Sequence, residues 1–169
     1  MNYHNITKDD FLNGDGVRVV LWVSGCEHHC PECQNQETWD KDTGITFDEE
    51  AKEEIMAELS KDYVSGITFS GGDPLAPYNC REVSDLIDTI KHSFPEKTIW
   101  IYTGYTYEGL LQRQNIFIPN ILLFTDVLVD GEYKKDLRDT DLKWRGSANQ
   151  RVIDVQKSLR EGKVVLWCD

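Results

Sequence analysis

No stretch of this 169-residue chain stays apolar for the roughly twenty residues that a membrane-spanning helix needs. The first residues (Met1-Asn2-Tyr3-His4-Asn5) lack the basic region followed by an apolar one that marks a secretory signal. Basic residues are scarce, with 18 lysines and arginines against 30 aspartates and glutamates, a net charge of −12. Phosphate backbones are held by a concentrated basic surface, so no nucleic-acid partner is expected, and the excess acid reads as solubility. A disulfide framework is missing too. The five cysteines are odd in number and three of them cluster, which fits a reducing compartment and a cytoplasmic protein. Internal repeats, low-complexity tracts and linkers are absent. What remains is ordinary globular composition, 40% hydrophobic and 28% charged, read as a single domain over residues 1–169 with a substantial core.

Within that domain, β-rich and helical patterns alternate, which predicts β-α units and a mainly parallel sheet. Val17 to Val23 is a near-continuous apolar strand, expected to be covered on both faces. Thr46-Phe47-Asp48-Glu49 has a capping-box pattern, and Ala51, Ile55 and Leu59 behind it share a helix face. Gly66 to Phe69 is a second strand. Asn79 with Glu82 opens a helix whose apolar face is Val83, Leu86, Ile87 and Ile90. Thr98 to Tyr102 is a third strand, Tyr107 to Gln114 a short helix and Asp126 to Val129 a fourth strand. Arg151 to Ile153 is a further strand, followed by a helix capped by Asp154 and stopped by Gly162, and Lys163 to Trp167 is a last strand. Five or six such units are too few to close an eight-stranded barrel.

The densest chemical signal is Ser24-Gly25-Cys26-Glu27-His28-His29-Cys30-Pro31-Glu32-Cys33-Gln34-Asn35, residues 24–35, with spacing Cys-x3-Cys-x2-Cys. One tight loop that aims three thiolates at one place suits a metal centre better than packing. A closed cubane or a closed zinc site takes four ligands. Three cysteines therefore leave one iron open to an external ligand, or need a fourth donor such as His28 or His29, as in a zinc knuckle. The strand Val17–Val23 delivers this loop at its C-terminal end, where α/β sheets place their chemistry. Cys80 and Cys168 lie far from the loop and read as non-ligands.

At these residues the chain resembles the radical S-adenosylmethionine (SAM) enzymes, and within them the family of activating proteins of the anaerobic (class III) ribonucleoside-triphosphate reductase. The finer likeness rests on Asn13-Gly14-Asp15-Gly16-Val17-Arg18, on His28, Asn35 and Thr38-Trp39, and on Ser70-Gly71-Gly72-Asp73-Pro74-Leu75. It continues through Tyr102-Thr103-Gly104-Tyr105, Asp126-Val127-Leu128-Val129-Asp130-Gly131 and Trp144-Arg145-Gly146-Ser147. One departure is Glu32, where glycine or an aromatic is usual before the third cysteine.

The resemblance implies an open, partial (β/α) barrel and one [4Fe–4S] cluster per chain, held by Cys26, Cys30 and Cys33. SAM would chelate the open iron. The turn 70–75 would line its methionine end through Gly71, Gly72 and Asp73, and Glu32, Cys33 and Gln34 would lie towards the adenine, with Thr103 and Asp130 at neighbouring strand ends. The implied function is reductive cleavage of SAM and generation of a glycyl radical on the large catalytic subunit of the reductase, with a flavodoxin-like electron donor. Residues 131–150, irregular and mixed in charge, are expected to face that partner, because Trp144 is costly to expose alone. Two other classes are a zinc-binding interaction module and a radical SAM enzyme acting on a small molecule or a peptide.

Overall fold

The computed structural model describes residues 1–168. The chain runs through β1 (Asn2–Asp10), β2 (Val17–Val23), β3 (Ile45–Thr46), α1 (Glu49–Leu59), β4 (Val64–Gly71) and α2 (Cys80–Ser93). It continues with β5 (Thr98–Tyr102), α3 (Tyr107–Gln112), α4 (Ile118–Phe124), β6 (Val127–Asp130), β7 (Arg151–Asp154) and α5 (Val155–Glu161). All seven strands join one open sheet in the order β3-β1-β2-β4-β5-β6-β7. The pairs β2–β4, β4–β5 and β5–β6 are parallel, and both edges are antiparallel. The expected mainly parallel sheet is thus its centre.

The expected five or six β-α units reduce to four strands followed by helices. Lys163–Trp167 is no strand and makes only an isolated bridge, Leu166 to Ile153. In its place β1, a polar segment without apolar alternation, is held in the sheet by pairing with β2. Helix α4 was not expected either; Pro119 sits in its first turn, where a missing N–H costs nothing. The cap of α1 is Asp48, whose side chain accepts from Ala51 N at 3.0 Å, while Thr46 belongs to β3. Asp154 and Gly162 bound α5 as expected, the latter at φ +66°.

The parallel strands advance in one direction across the sheet. Right-handed crossovers then put their helices on one face. That face holds the main core: Val19, Leu21 and Val23 of β2, Ile67 and Phe69 of β4, and Ile99 and Ile101 of β5. They pack with Ile55 and Leu59 of α1 and with Val83, Leu86, Ile87 and Ile90 of α2. Each such side chain contributes about 1.5–3 kcal/mol by burial. The alternate residues face the other way. Arg18 and Trp22 of β2, Thr68 and Ser70 of β4, and Trp100 and Tyr102 of β5 form a polar and aromatic face, and the small cluster around Trp100 on it includes no helix residue among the described residues.

Arg18 anchors that face. Its buried guanidinium donates to Thr68 Oγ1 (2.7 Å), Ile67 O (2.7 Å), Thr98 Oγ1 (2.9 Å), Thr98 O (2.9 Å) and Asp15 O (3.0 Å), and it lies 5.3 Å from the Trp100 ring centroid. All five N–H groups are used, so a charge buried without a carboxylate is still fully bonded. Burial pulls its pKa down to about 10. Gly14, at φ +136°, makes the room; a Cβ there would stand 2.7 Å from Arg18 Cδ. That accounts for the Asn13–Arg18 motif in physical terms.

Candidate functional site

The cysteine loop leaves the C-terminal end of β2 and is tied down on both sides. Gly25 N donates to Thr38 O (2.6 Å) and Cys26 N to Trp39 O (3.0 Å), so the Thr38-Trp39 pair returns to hold the first cysteine. Asp73 N donates to Gly25 O (2.7 Å), and the buried Asn79 amide donates to Ser24 O (2.9 Å) and Asp73 O (3.0 Å), fixing the turn after β4 beside the loop. Cys26, Cys30 and Cys33 all line one cavity of about 220 Å³, together with Gln34, Ser70, Gly71, Gly72, Asp73, Thr103 and Gly104. Asn35 N donates to Cys33 Sγ at 3.4 Å. Burial pushes the Cys26 thiol up to about 11 and raises that of Cys30. Neighbouring iron offsets such a cost in the anionic form.

Among the described residues, no three His, Cys, Asp or Glu side chains converge as the ligands of a single ion do. The three cysteines instead share a cavity, which suits a cluster that places each thiolate on a different iron. His28 is no ligand here. Its Nε2 lies 3.0 Å from Asp73 Oδ2 and its Nδ1 3.0 Å from Glu132 Oε1. The two carboxylate partners favour the protonated ring, whose pKa is raised first by the Asp73 hydrogen bond and further by Glu132. His29 packs on Trp39, with ring centroids 4.8 Å apart.

Asp73 is the junction of the site. Its buried carboxylate accepts from Leu75 N (2.8 Å), Thr103 Oγ1 (2.9 Å) and Gly104 N (3.0 Å), besides facing His28. The Tyr102-Thr103-Gly104-Tyr105 segment is therefore a clamp at the end of β5. Thr103 and Gly104 bind Asp73. Gly104 leaves room for the imidazole, since a Cβ would come within 2.6 Å of His28 Cγ. Tyr105 meets the His28 ring edge-on at 4.5 Å and donates to Glu27 at 2.8 Å.

The structure thus brings together Cys33, Gln34, Gly71, Gly72, Asp73 and Thr103. It does not bring Glu32 or Asp130 to the cavity wall. Glu32 is exposed at φ +56° and ion-paired with Lys135. Asp130 is buried and spent on Tyr107 N (2.8 Å) and Arg151 Nε (3.0 Å). Asn13, Trp22, Tyr102, Tyr133 and Gln150 line the cavity and were not anticipated. Those on strands were findable from alternation, as residues on the face opposite the core. Trp144 finds its partner inside the chain, against Trp100 at 4.9 Å. Cys80 is buried in the main core and Cys168 packs against the small cluster around Trp100, both away from the loop.

Gly72 serves the loop rather than open space, because a Cβ there would stand 2.8 Å from the Gly25 carbonyl carbon. Gly72→Val should therefore lower iron incorporation severalfold as well as weaken any ligand in the cavity. Iron per chain after anaerobic reconstitution measures this. Full loading would mean that the cysteine loop tolerates the displacement.

No helix among the described residues is long and apolar enough to cross a membrane. Residues 12–153 match the model of the 4Fe-4S single cluster domain family, a span that contains all three clustered cysteines. Three curated relatives bear the name anaerobic ribonucleoside-triphosphate reductase-activating protein. That of Enterobacteria phage T4 is 45% identical over 90% of this chain and 93% of its own length. Those of Vibrio cholerae and Escherichia coli K12 are 42% and 41% identical, each over 90% of this chain and 97% of their own.

Proposed function

The chain belongs to the family of anaerobic ribonucleoside-triphosphate reductase-activating proteins, and from that premise we propose that it generates a glycyl radical on the large subunit of the reductase. The observation that carries this reading is the shared cavity, where three cysteines meet the Gly71-Gly72-Asp73 turn and the ends of β2, β4 and β5. Cys26, Cys30 and Cys33 would hold a [4Fe–4S] cluster, which when reduced would supply the one electron for reductive cleavage of SAM, the chemistry that takes a hydrogen atom from a glycine Cα. The rest of the work belongs to the chain. Gly71 and Gly72 let the turn after β4 lie against β2 and the cluster loop, where a Cβ would meet Val23 O at 2.7 Å or collide with Gly25 O. Their main-chain groups are so brought to the cavity wall beside the cysteines for the ammonium and carboxylate of SAM. Gln34 and Tyr102 extend the wall for the adenosyl end. The bonded Asp73, Thr103 and His28 hold the three strand ends in register, so the cavity is ordered before SAM arrives.

Zinc is set aside on the family match and on the engagement of both His28 nitrogens. A small-molecule substrate is disfavoured by the relatives' shared name, which points to a protein substrate. Residues 131–150 border the cavity through Gly131, Tyr133, Gly146 and Gln150, which supports their role in receiving the partner. A flavodoxin-like protein is the proposed electron donor. The test is anaerobic reconstitution with iron and sulfide, then addition of SAM, reductant and the reductase large subunit. 5′-Deoxyadenosine and a glycyl radical signal in electron paramagnetic resonance are expected together. Iron loading without 5′-deoxyadenosine would sink the reading.

A further inference from the structure

A second cavity of about 460 Å³ adjoins the first. The two share Asn13, Trp22, Gln34, Tyr102 and Gly146 on their walls. Its own walls are Leu12, Arg138, Leu142, Trp144 and Arg145, among others. Residues 138–147 form a flap over it, closed at the base by the bridge between Arg138 and Ser147 and by Ala148 N donating to Leu137 O at 2.8 Å. Trp144 pins the flap to Trp100 and does so at φ +59°, an uncommon conformation for a bulky residue and one that concentrates at ligand clamps. Arg145 is incompletely used. Nη1 donates to Gln150 O at 3.2 Å, while Nε is buried with no acceptor among the described residues. A buried donor without an acceptor is costly, and a rotation of the guanidinium towards a carbonyl in the cavity relieves it.

We infer that this second cavity receives an extended main-chain segment of the reductase large subunit, threaded under the flap so that its glycine reaches the first cavity past Gly146. The inference rests on the activase reading above. The chemistry of the walls selects this occupant. Flat aromatic faces and an arginine donor suit the planar amides and carbonyl acceptors of a peptide backbone. A phosphate-bearing ligand would want converging cations, whereas Arg138 and Arg145 share their wall with Asp139 in a strongly acidic protein. At the shared rim Gly146 presents no side chain, and a Cβ there would stand 3.2 Å from Tyr133 Cδ2, so the absence of one keeps the rim between the two cavities clear.

Two variants test this on the reconstituted protein. Arg145→Met removes the donor, and Thr140→Trp fills the cavity from an exposed position without removing any contact. Each should raise the dissociation constant for the purified large subunit by roughly tenfold or more, the loss expected for one charge-assisted hydrogen bond or a blocked groove. SAM affinity and iron content should stay within about twofold of wild type, a change too small to count as a lost contact. A parallel fall in SAM affinity would assign the cavity to the adenosyl end of SAM and overturn the inference. Unchanged association of the large subunit in both variants would overturn it as well. If wild type itself formed no 5′-deoxyadenosine, the activase reading would fail first, so the two failures are distinguishable.

Discussion

Replacing any one of Cys26, Cys30 and Cys33 with alanine is expected to abolish stable cluster binding, whereas Cys80→Ala and Cys168→Ala leave it intact. On the proposed ligation by three cysteines with one open iron, no spare thiolate stands in the loop to compensate. Cys80 is fully buried among the main-core residues, and its Sγ lies 3.3 Å from Leu75 O. Its loss costs packing, on the order of 1 kcal/mol for so small a group. Cys168 lies beside Trp100 on the far side of the open face. Iron and sulfide per chain after anaerobic reconstitution measure the outcome directly. Equal dependence on Cys80 or Cys168 would refute the assignment, and so would full iron content in any single variant of the loop.

The cysteine loop was legible because its signal is local: three like residues within eight positions need no knowledge of the fold. Most strands and helices were legible for a similar reason, since Val83, Leu86, Ile87 and Ile90 repeat with the period of a helix buried on one side. What escaped depends on pairing across the chain. Nothing in Asn2–Asp10 reads as a strand, and it is one only because β2 offers it an edge. The same cause hid half the site. The near-continuous apolar run Val17–Val23 predicts two covered faces, and both are covered, with Arg18 and Val20 buried on the second, but the main-core helices pack against only the first. The other face carries Arg18 and Trp22, and the arginine inside that run was the clue.

Asp130 and Asp73 show the same limit from the other side. Asp130 ends β6 and Asp73 lies in the turn after β4, and both were candidates to stand beside SAM. Which acid faces the cavity depends on who neutralises it. Arg151, 21 residues downstream of Asp130, takes that carboxylate out of the site, whereas Asp73 stays on the cavity wall because its partners, Thr103, Gly104 and His28, are themselves wall residues. Glu32 was flagged by its departure from the family pattern. Its left-handed backbone supplies the physical reason why glycine suits that position.

The junction at Asp73 leads to the second large effect. Asp73→Ala should destabilise the apo protein by about 3–5 kcal/mol, as removal of one partner from a buried charged network does. Leu75 N, Thr103 Oγ1 and Gly104 N lose their acceptor in a place shielded from water, and His28 loses one of its two carboxylates. The cysteine loop is held to the sheet through these groups, so iron incorporation should fall with stability. Asp73→Asn keeps one acceptor oxygen but turns an amide N–H towards donors, so it should fall between wild type and alanine. Thermal unfolding of the three apo proteins, with iron content after reconstitution of each, gives the comparison. The expected order in both measurements is wild type, asparagine, alanine. If the alanine variant unfolded at the wild-type temperature but failed to bind SAM, Asp73 would be a ligand-binding carboxylate and not the tie between β4, β5 and the cysteine loop.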